Sequence, residues 1–181
     1  SLYKISKERN LNYNILGKKN LHDFAFNLNG FFTEGQSAMT DNTENDLYRS
    51  ESINAKYGYQ ISENLRFETD LNYNDSLLEY DEPQHYSGGW GADTSSAMRP
   101  DENSTDDYEK IYNLRLIQDN GKYKNRLLFN KYKSVRQVRN YNQTTKEKFT
   151  GFRDTFNYLG EYNFNLDTKI VYGLDNELEK A

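Results

Sequence analysis

A strict two-residue alternation of apolar and polar side chains constrains this chain more than any other feature. From Leu65 to Asn74, Leu65, Phe67, Thr69, Leu71 and Tyr73 alternate with Arg66, Glu68, Asp70, Asn72 and Asn74. Just upstream, Ile53, Ala55, Tyr57 and Tyr59 alternate with Ser52, Asn54, Lys56, Gly58 and Gln60. Successive side chains of an extended strand point to opposite faces, so each stretch is a strand with one apolar and one polar face. The period recurs along the chain. Phe24, Phe26, Leu28, Gly30 and Phe32 share a face, with Phe31 breaking the pattern near the strand end. Leu11, Tyr13 and Ile15 alternate with asparagines; Tyr112, Leu114 and Leu116, then Phe156, Tyr158, Gly160, Tyr162 and Phe164, and finally Ile170, Tyr172 and Leu174 repeat the arrangement. The segment from Lys122 to Tyr141 is extended, but its facing is ambiguous. The chain therefore predicts an all-β fold of about eight long strands.

The connections alternate as well. Gly17 to His22, Ile61 to Asn64, Asp119 to Lys122 and Asn165 to Thr168 are tight, and Asn120-Gly121 is the dipeptide that favours a two-residue type I′ hairpin. Thr33 to Leu47, Asp81 to Thr105 and Asn142 to Gly151 are long and polar. In an antiparallel up-and-down meander every second connection falls on the same rim, so the tight turns share one side and the long loops the other. Short turns on one rim, long loops on the other, an apolar outer face and a polar interior describe a transmembrane β-barrel. The predicted strands run from about ten residues upward, enough for the roughly 9 to 11 that cross a bilayer.

Composition fits that expectation once patterning is included. Mean hydropathy is -1.06 and 28% of residues are charged, values that by themselves suggest partial disorder. The regular alternation argues against it. Apolar surface comes largely from 16 Tyr and 10 Phe, residues suited to strands and to interfaces. Tyr57, Tyr59, Tyr73, Tyr158 and Tyr162 lie near predicted strand ends, where they read either as ordinary strand formers or as a headgroup-level girdle. The formal charge of -5 is interspersed in sign, and nothing in it suggests a nucleic-acid-binding surface. Cysteine is absent, no run approaches the roughly 18 apolar residues of a spanning helix, and no signal segment opens the 181 residues, which read as one unit.

No enzyme is expected. His22 and His85 lie in a turn and a loop, without a metal or triad motif beside either. Gly88, Gly89 and Gly91 surround Trp90 but do not join a strand to a helix, as a phosphate cradle requires. Acidic residues cluster in the long connections: Asp41, Glu44 and Asp46 in one, and Asp81, Glu82, Asp106 and Asp107 bracketing the next. They either keep exposed loops solvated or pool oxygens around Ca2+.

The segment GFFTEGQSAMTDNTENDLYRSESINAKYGYQISENLRFETDLNYNDSLLEYDEP, Gly30 to Pro83, resembles the barrel of TonB-dependent outer-membrane receptors, particularly the vitamin B12 receptor branch. KIVYGLDNELEKA, Lys169 to Ala181, resembles a recurrent barrel strand of the same family. The resemblance implies a barrel of about 22 strands in the bacterial outer membrane, plugged by an amino-terminal domain. Its members import cobalamin, iron chelates or sugars on energy relayed by TonB. For this chain it implies contact with outer-membrane lipid and a small nutrient ligand, with TonB engaged through a plug domain that these residues do not include. It also implies calcium at Asp41, Asp46, Asp81 and Asp106, and Tyr80 as a substrate contact. A partial barrel, with open edges at its first and last strands, is the expectation for residues 1–181. Two alternatives stand beside it: a complete small eight-stranded structural or adhesive barrel, and a soluble β carbohydrate-binding module.

Overall fold

A computed structural model describes residues 7–35, 46–83, 98–139, 146–165 and 167–181, with the side chains of 81–83 and 98–102 left out of account. Among the described residues every regular element is a strand: β1 (Lys7–Lys19), β2 (His22–Glu34), β3 (Leu47–Ser62), β4 (Leu65–Pro83), β5 (Met98–Asp119), β6 (Tyr123–Arg139), β7 (Glu147–Asn163) and β8 (Lys169–Lys180). They form one antiparallel sheet in chain order. The expected meander is therefore observed, with tight turns on one rim and longer connections on the other.

The sheet is open. β1 pairs only with β2 and β8 only with β7, and among the described residues β1 and β8 make no contact. A closed eight-stranded barrel, in which the last strand pairs with the first, is not the arrangement adopted.

The strands are longer than the alternation alone marks. β4 and β5 pair well into the span expected as a loop, with Tyr80 opposite Asn103 and Glu82 opposite Arg99 across a bulge. β7 likewise starts at Glu147, inside another expected loop. Polar sequence hid these ends, because main-chain ladder bonds need no apolar side chain.

The Asn120-Gly121 turn differs in detail from expectation. Asp119 pairs with Lys124, and the Asn120 N–H donates to the Tyr123 carbonyl at 3.1 Å, which makes Gly121 and Lys122 the two central residues. Gly121 has φ of 81°, and among the described residues Asn20 is the sole non-glycine at positive φ. Positive φ at the first central residue alone is the type II′ pattern; type I′ needs it at both. The Asn120 side chain accepts from the Tyr123 N–H at 2.7 Å, which fixes asparagine just before the glycine.

One layer has little interior. Val135 is the single buried hydrophobic residue among those described, while Leu174 is 61% and Leu11 59% exposed. The described residues supply nothing to cover the apolar face.

Candidate functional site

Register sorts the side chains onto two faces. Asp23, Gly58, Glu68 and Arg115 lie abreast on one, as do Asn14, Asn27, Asn54 and Asn72. Near the tight-turn rim this face carries a charge network. Arg66 donates to Asp23 at 2.8 and 3.0 Å and to Glu68 at 2.8 Å, Lys56 lies 3.7 Å from Glu68, and Arg115 binds Asp70 at 2.5 Å. Asn113 donates to Asp70 and Asn130 to Asn113, at 2.6 and 2.7 Å. The opposite face carries Phe26, Leu28, Ile53, Leu71, Leu114, Phe129 and Phe156. Register also settles the facing of β6, with Leu127 and Phe129 on the apolar side beside Leu116 and Leu114.

The apolar band crosses the strands obliquely. On its loop side, the first charged or amide side chain is Arg9 on β1, then Glu34, Glu51, Asp75, Lys110, Lys131, Asp154, and Asn176 on β8. Arg9 is in register with Leu77 on β4, whereas Asn176 is in register with Thr69. The margin thus slips eight residues along the strands, roughly 26 Å, while crossing seven strand spacings, roughly 34 Å. That slope is about 40°. It also explains the Lys131–Asp154 ion pair at 3.8 Å: level in register with Leu71, the pair nonetheless lies at the band's edge.

Aromatic rings collect where the band meets the tight turns. Tyr123 and Tyr162 pack at 4.8 Å, and Tyr158 meets Tyr172 edge-on at 5.9 Å. His22, read from sequence as a turn residue, opens β2 and stacks on Tyr59 at 4.7 Å, with Nδ1 2.7 Å from the Tyr57 hydroxyl. Of the five tyrosines expected in a girdle, Tyr57, Tyr59, Tyr158 and Tyr162 are on this side. Tyr73 lies at the loop-side margin.

A pocket of about 760 Å³ opens on the polar face toward the long connections, lined by Asn74, Ser76, Asp107, Glu109, Ser134, Arg136 and Phe149, with Tyr108 and Val135. Its charges are largely paired: Arg136 grips Asp107 through Nε at 2.7 Å and Nη2 at 3.0 Å, and the Tyr132 hydroxyl donates to Glu109 at 2.8 Å. Phe149 is an aromatic on the polar face and 56% exposed. This group is not legible from the alternation, although Phe149, like Phe31, breaks it by placing a ring among polar neighbours.

The sequence-predicted site residues are dispersed. Tyr80 shares the polar face, four positions loopward of Ser76 and opposite Asn103. Asp106 lies within β5 opposite Leu77 and is paired with Lys146. Asp46 precedes β3, where its carbonyl accepts from the Gly35 N–H at 2.8 Å. Asp81 is a β4 residue whose side chain is not described, and Asp41 and His85 lie outside the described residues. Among the described residues no three His, Cys, Asp or Glu side chains gather as a metal shell.

No protein-family model matches the chain, and no curated protein is significantly similar to it.

Proposed function

We propose that this sheet is part of the wall of a bacterial outer-membrane β-barrel receptor, of the TonB-dependent kind, that imports a scarce nutrient. The oblique apolar band carries the membrane half of this reading. Strands in outer-membrane barrels tilt by about 35–45°, so a horizontal slab of lipid must cross their register at that angle. A slope of about 40° on the apolar face fits such a slab. The remaining features agree with it: tight turns on one rim, long connections on the other, and a charged polar face suited to a wide interior.

The uptake half rests on the resemblance of Gly30 to Pro83 and Lys169 to Ala181, and on the pocket. Within the pocket, a ligand arriving from the loop side meets Phe149, Arg136 and Asp107 before Ser134 and Glu109. A soluble carbohydrate-binding module would need a second layer over Leu28, Leu71, Leu114 and Phe156, and nothing among the described residues favours that reading.

Because the chain lacks cysteine, single nitroxide labels test the proposal directly. In lipid vesicles, labels at Leu28 and Tyr172 should report equal bilayer depth, while Lys180, in register with Leu28, should lie nearer the surface. Depth that follows register rows, or no lipid exposure at all, would overturn the membrane reading. Uptake is checked in cells with labelled cobalamin and a ferric chelate, with Arg136→Ala expected to lower transport of the true ligand. Calcium belongs to this proposal through Asp41 and Asp81, and Ca2+ affinity unchanged by Asp41→Ala and Asp81→Ala would remove it.

A further inference from the structure

Lys110 on β5 and Lys133 on β6 are direct cross-strand partners on the apolar face. Like charges placed opposite one another destabilise a sheet unless something neutralises them. Among the described residues neither forms an ion pair with a carboxylate. The acids nearest in register are engaged elsewhere: Asp75 accepts from the Tyr73 hydroxyl at 2.9 Å and lies 3.7 Å from Arg49, and Asp154 faces Lys131. Rings hold the two ammonium groups instead. Lys110 Nζ is 5.3 Å from the Tyr73 ring centre and 5.5 Å from that of Tyr108. Lys133 Nζ is 5.6 Å from the Tyr108 centre and 5.3 Å from that of Phe152. Two cations thus share one tyrosine ring, at the loop-side margin of the apolar band.

We infer that Lys110 and Lys133 form a binding site for the phosphate of an anionic lipid headgroup, in the leaflet on the loop side. This rests on the membrane reading above, which puts the margin of the band at headgroup level. A phosphate offers several acceptor oxygens and at least one negative charge, so a single group can bridge both ammoniums by charge-assisted hydrogen bonds. Tyr73, Tyr108 and Phe152 meanwhile supply apolar walls beside which the lipid's chains can lie. Isolated lysines at an interface need only extend their heads toward water. Two directly opposed and unpaired lysines are a different arrangement, since their mutual repulsion is relieved by a shared anion.

The test uses the protein folded in non-ionic detergent micelles, titrated with dioleoyl phosphatidic acid and, separately, with phosphatidylcholine, with retained lipid counted by native mass spectrometry. The double variant Lys110→Gln/Lys133→Gln should retain phosphatidic acid about ten-fold less. Lys7→Gln/Lys148→Gln, with the same change in net charge, should retain it as the parent does, and Lys110→Arg should keep binding. Without lipid, Lys110→Gln/Lys133→Gln should resist denaturant at least as well as the parent, because the repulsion is gone. Equal losses in both double variants would reduce the effect to general charge attraction and overturn the site. Displacement of phosphatidic acid by equimolar inorganic phosphate would also overturn the lipid assignment. A folded monomer in detergent-free buffer would refute the membrane reading itself, a result distinct from micelle-bound protein without phosphate selectivity.

Discussion

Arg66 on β4 holds Asp23 on β2 through two hydrogen bonds, of 2.8 and 3.0 Å, by reaching across the intervening strand at Gly58. A Cβ at Gly58 would lie 2.1 Å from the Arg66 Nη2 and 2.8 Å from both Asp23 oxygens. Glycine is needed at this position for the space it leaves, and that space lets three strands share one ion pair. Gly58→Ala is expected to displace the guanidinium and lower stability by about 1 kcal/mol. Loss of charge-assisted bonds outweighs the strand gain from removing a glycine, with the bond term reduced because both partners are partly exposed. A denaturant double-mutant cycle with Asp23→Ala checks this, and additive losses would show that the two sites are uncoupled.

Leu71 and Asn72 are neighbours on opposite faces. In vesicles, Leu71→Arg should cost about 2–4 kcal/mol of folding free energy, the penalty of a cation near the bilayer centre, whereas Asn72→Arg should cost well under 1 kcal/mol. Urea titration of vesicle-folded protein reads both. Equal costs would mean that the two faces meet the same medium.

Both outer hairpins cover a glycine with a ring. A Cβ at Gly17 would lie 2.3 Å from Phe24 Cζ, and one at Gly160 would lie 2.4 Å from the Tyr172 ring. Each ring therefore lies over its directly opposed partner, a packing that compensates a strand for glycine's missing side chain. Gly160→Val should expel the Tyr172 ring and its edge-on contact with Tyr158, costing about 1–2 kcal/mol despite valine's better strand propensity. Faster amide exchange along β8 would report it.

Asp119 closes the β5–β6 turn. Its carboxyl is held below the usual range by the Lys124 ammonium at 2.8 Å and then by the Gly121 N–H at 2.9 Å. A carboxylate with a depressed folded pKa contributes stability that is present above its unfolded value, about 3.9, and is lost as pH falls through the folded value. Protection of the Gly121 amide should therefore hold above about pH 4 and fall below it, and Asp119→Asn should abolish that dependence. Amide exchange across this range is the measurement.

The strand count, the meander and the rim asymmetry are all legible in the sequence, because alternation like that from Leu65 to Tyr73 leaves no other regular structure. Facing along β6 is not, since Lys131 and Lys133 interrupt its apolar side where the band's margin crosses the strand. The slope of that margin needs register, a relation between strands that no single segment encodes. The Phe149 pocket escaped for a similar reason: its residues come from β4, β5, β6 and β7 and meet only through pairing. Asp46 and Asp106, at the borders of adjacent expected loops, are not brought together, because Asp106 sits in the β4–β5 ladder opposite Leu77 and pairs with Lys146.

The free edges of β1 and β8 mean different things in water and in lipid. About half of the backbone N–H and C=O groups on each edge strand point away from its single neighbour, and water would satisfy them at little cost. In hydrocarbon each unsatisfied group costs several kcal/mol, so an exposed edge of this length would forfeit tens of kcal/mol, more than a typical domain's entire stability. A bilayer therefore acts as a selector for closure: the sheet can enter it only with both edges paired, whether to other strands of the protein or to the edges of neighbouring copies.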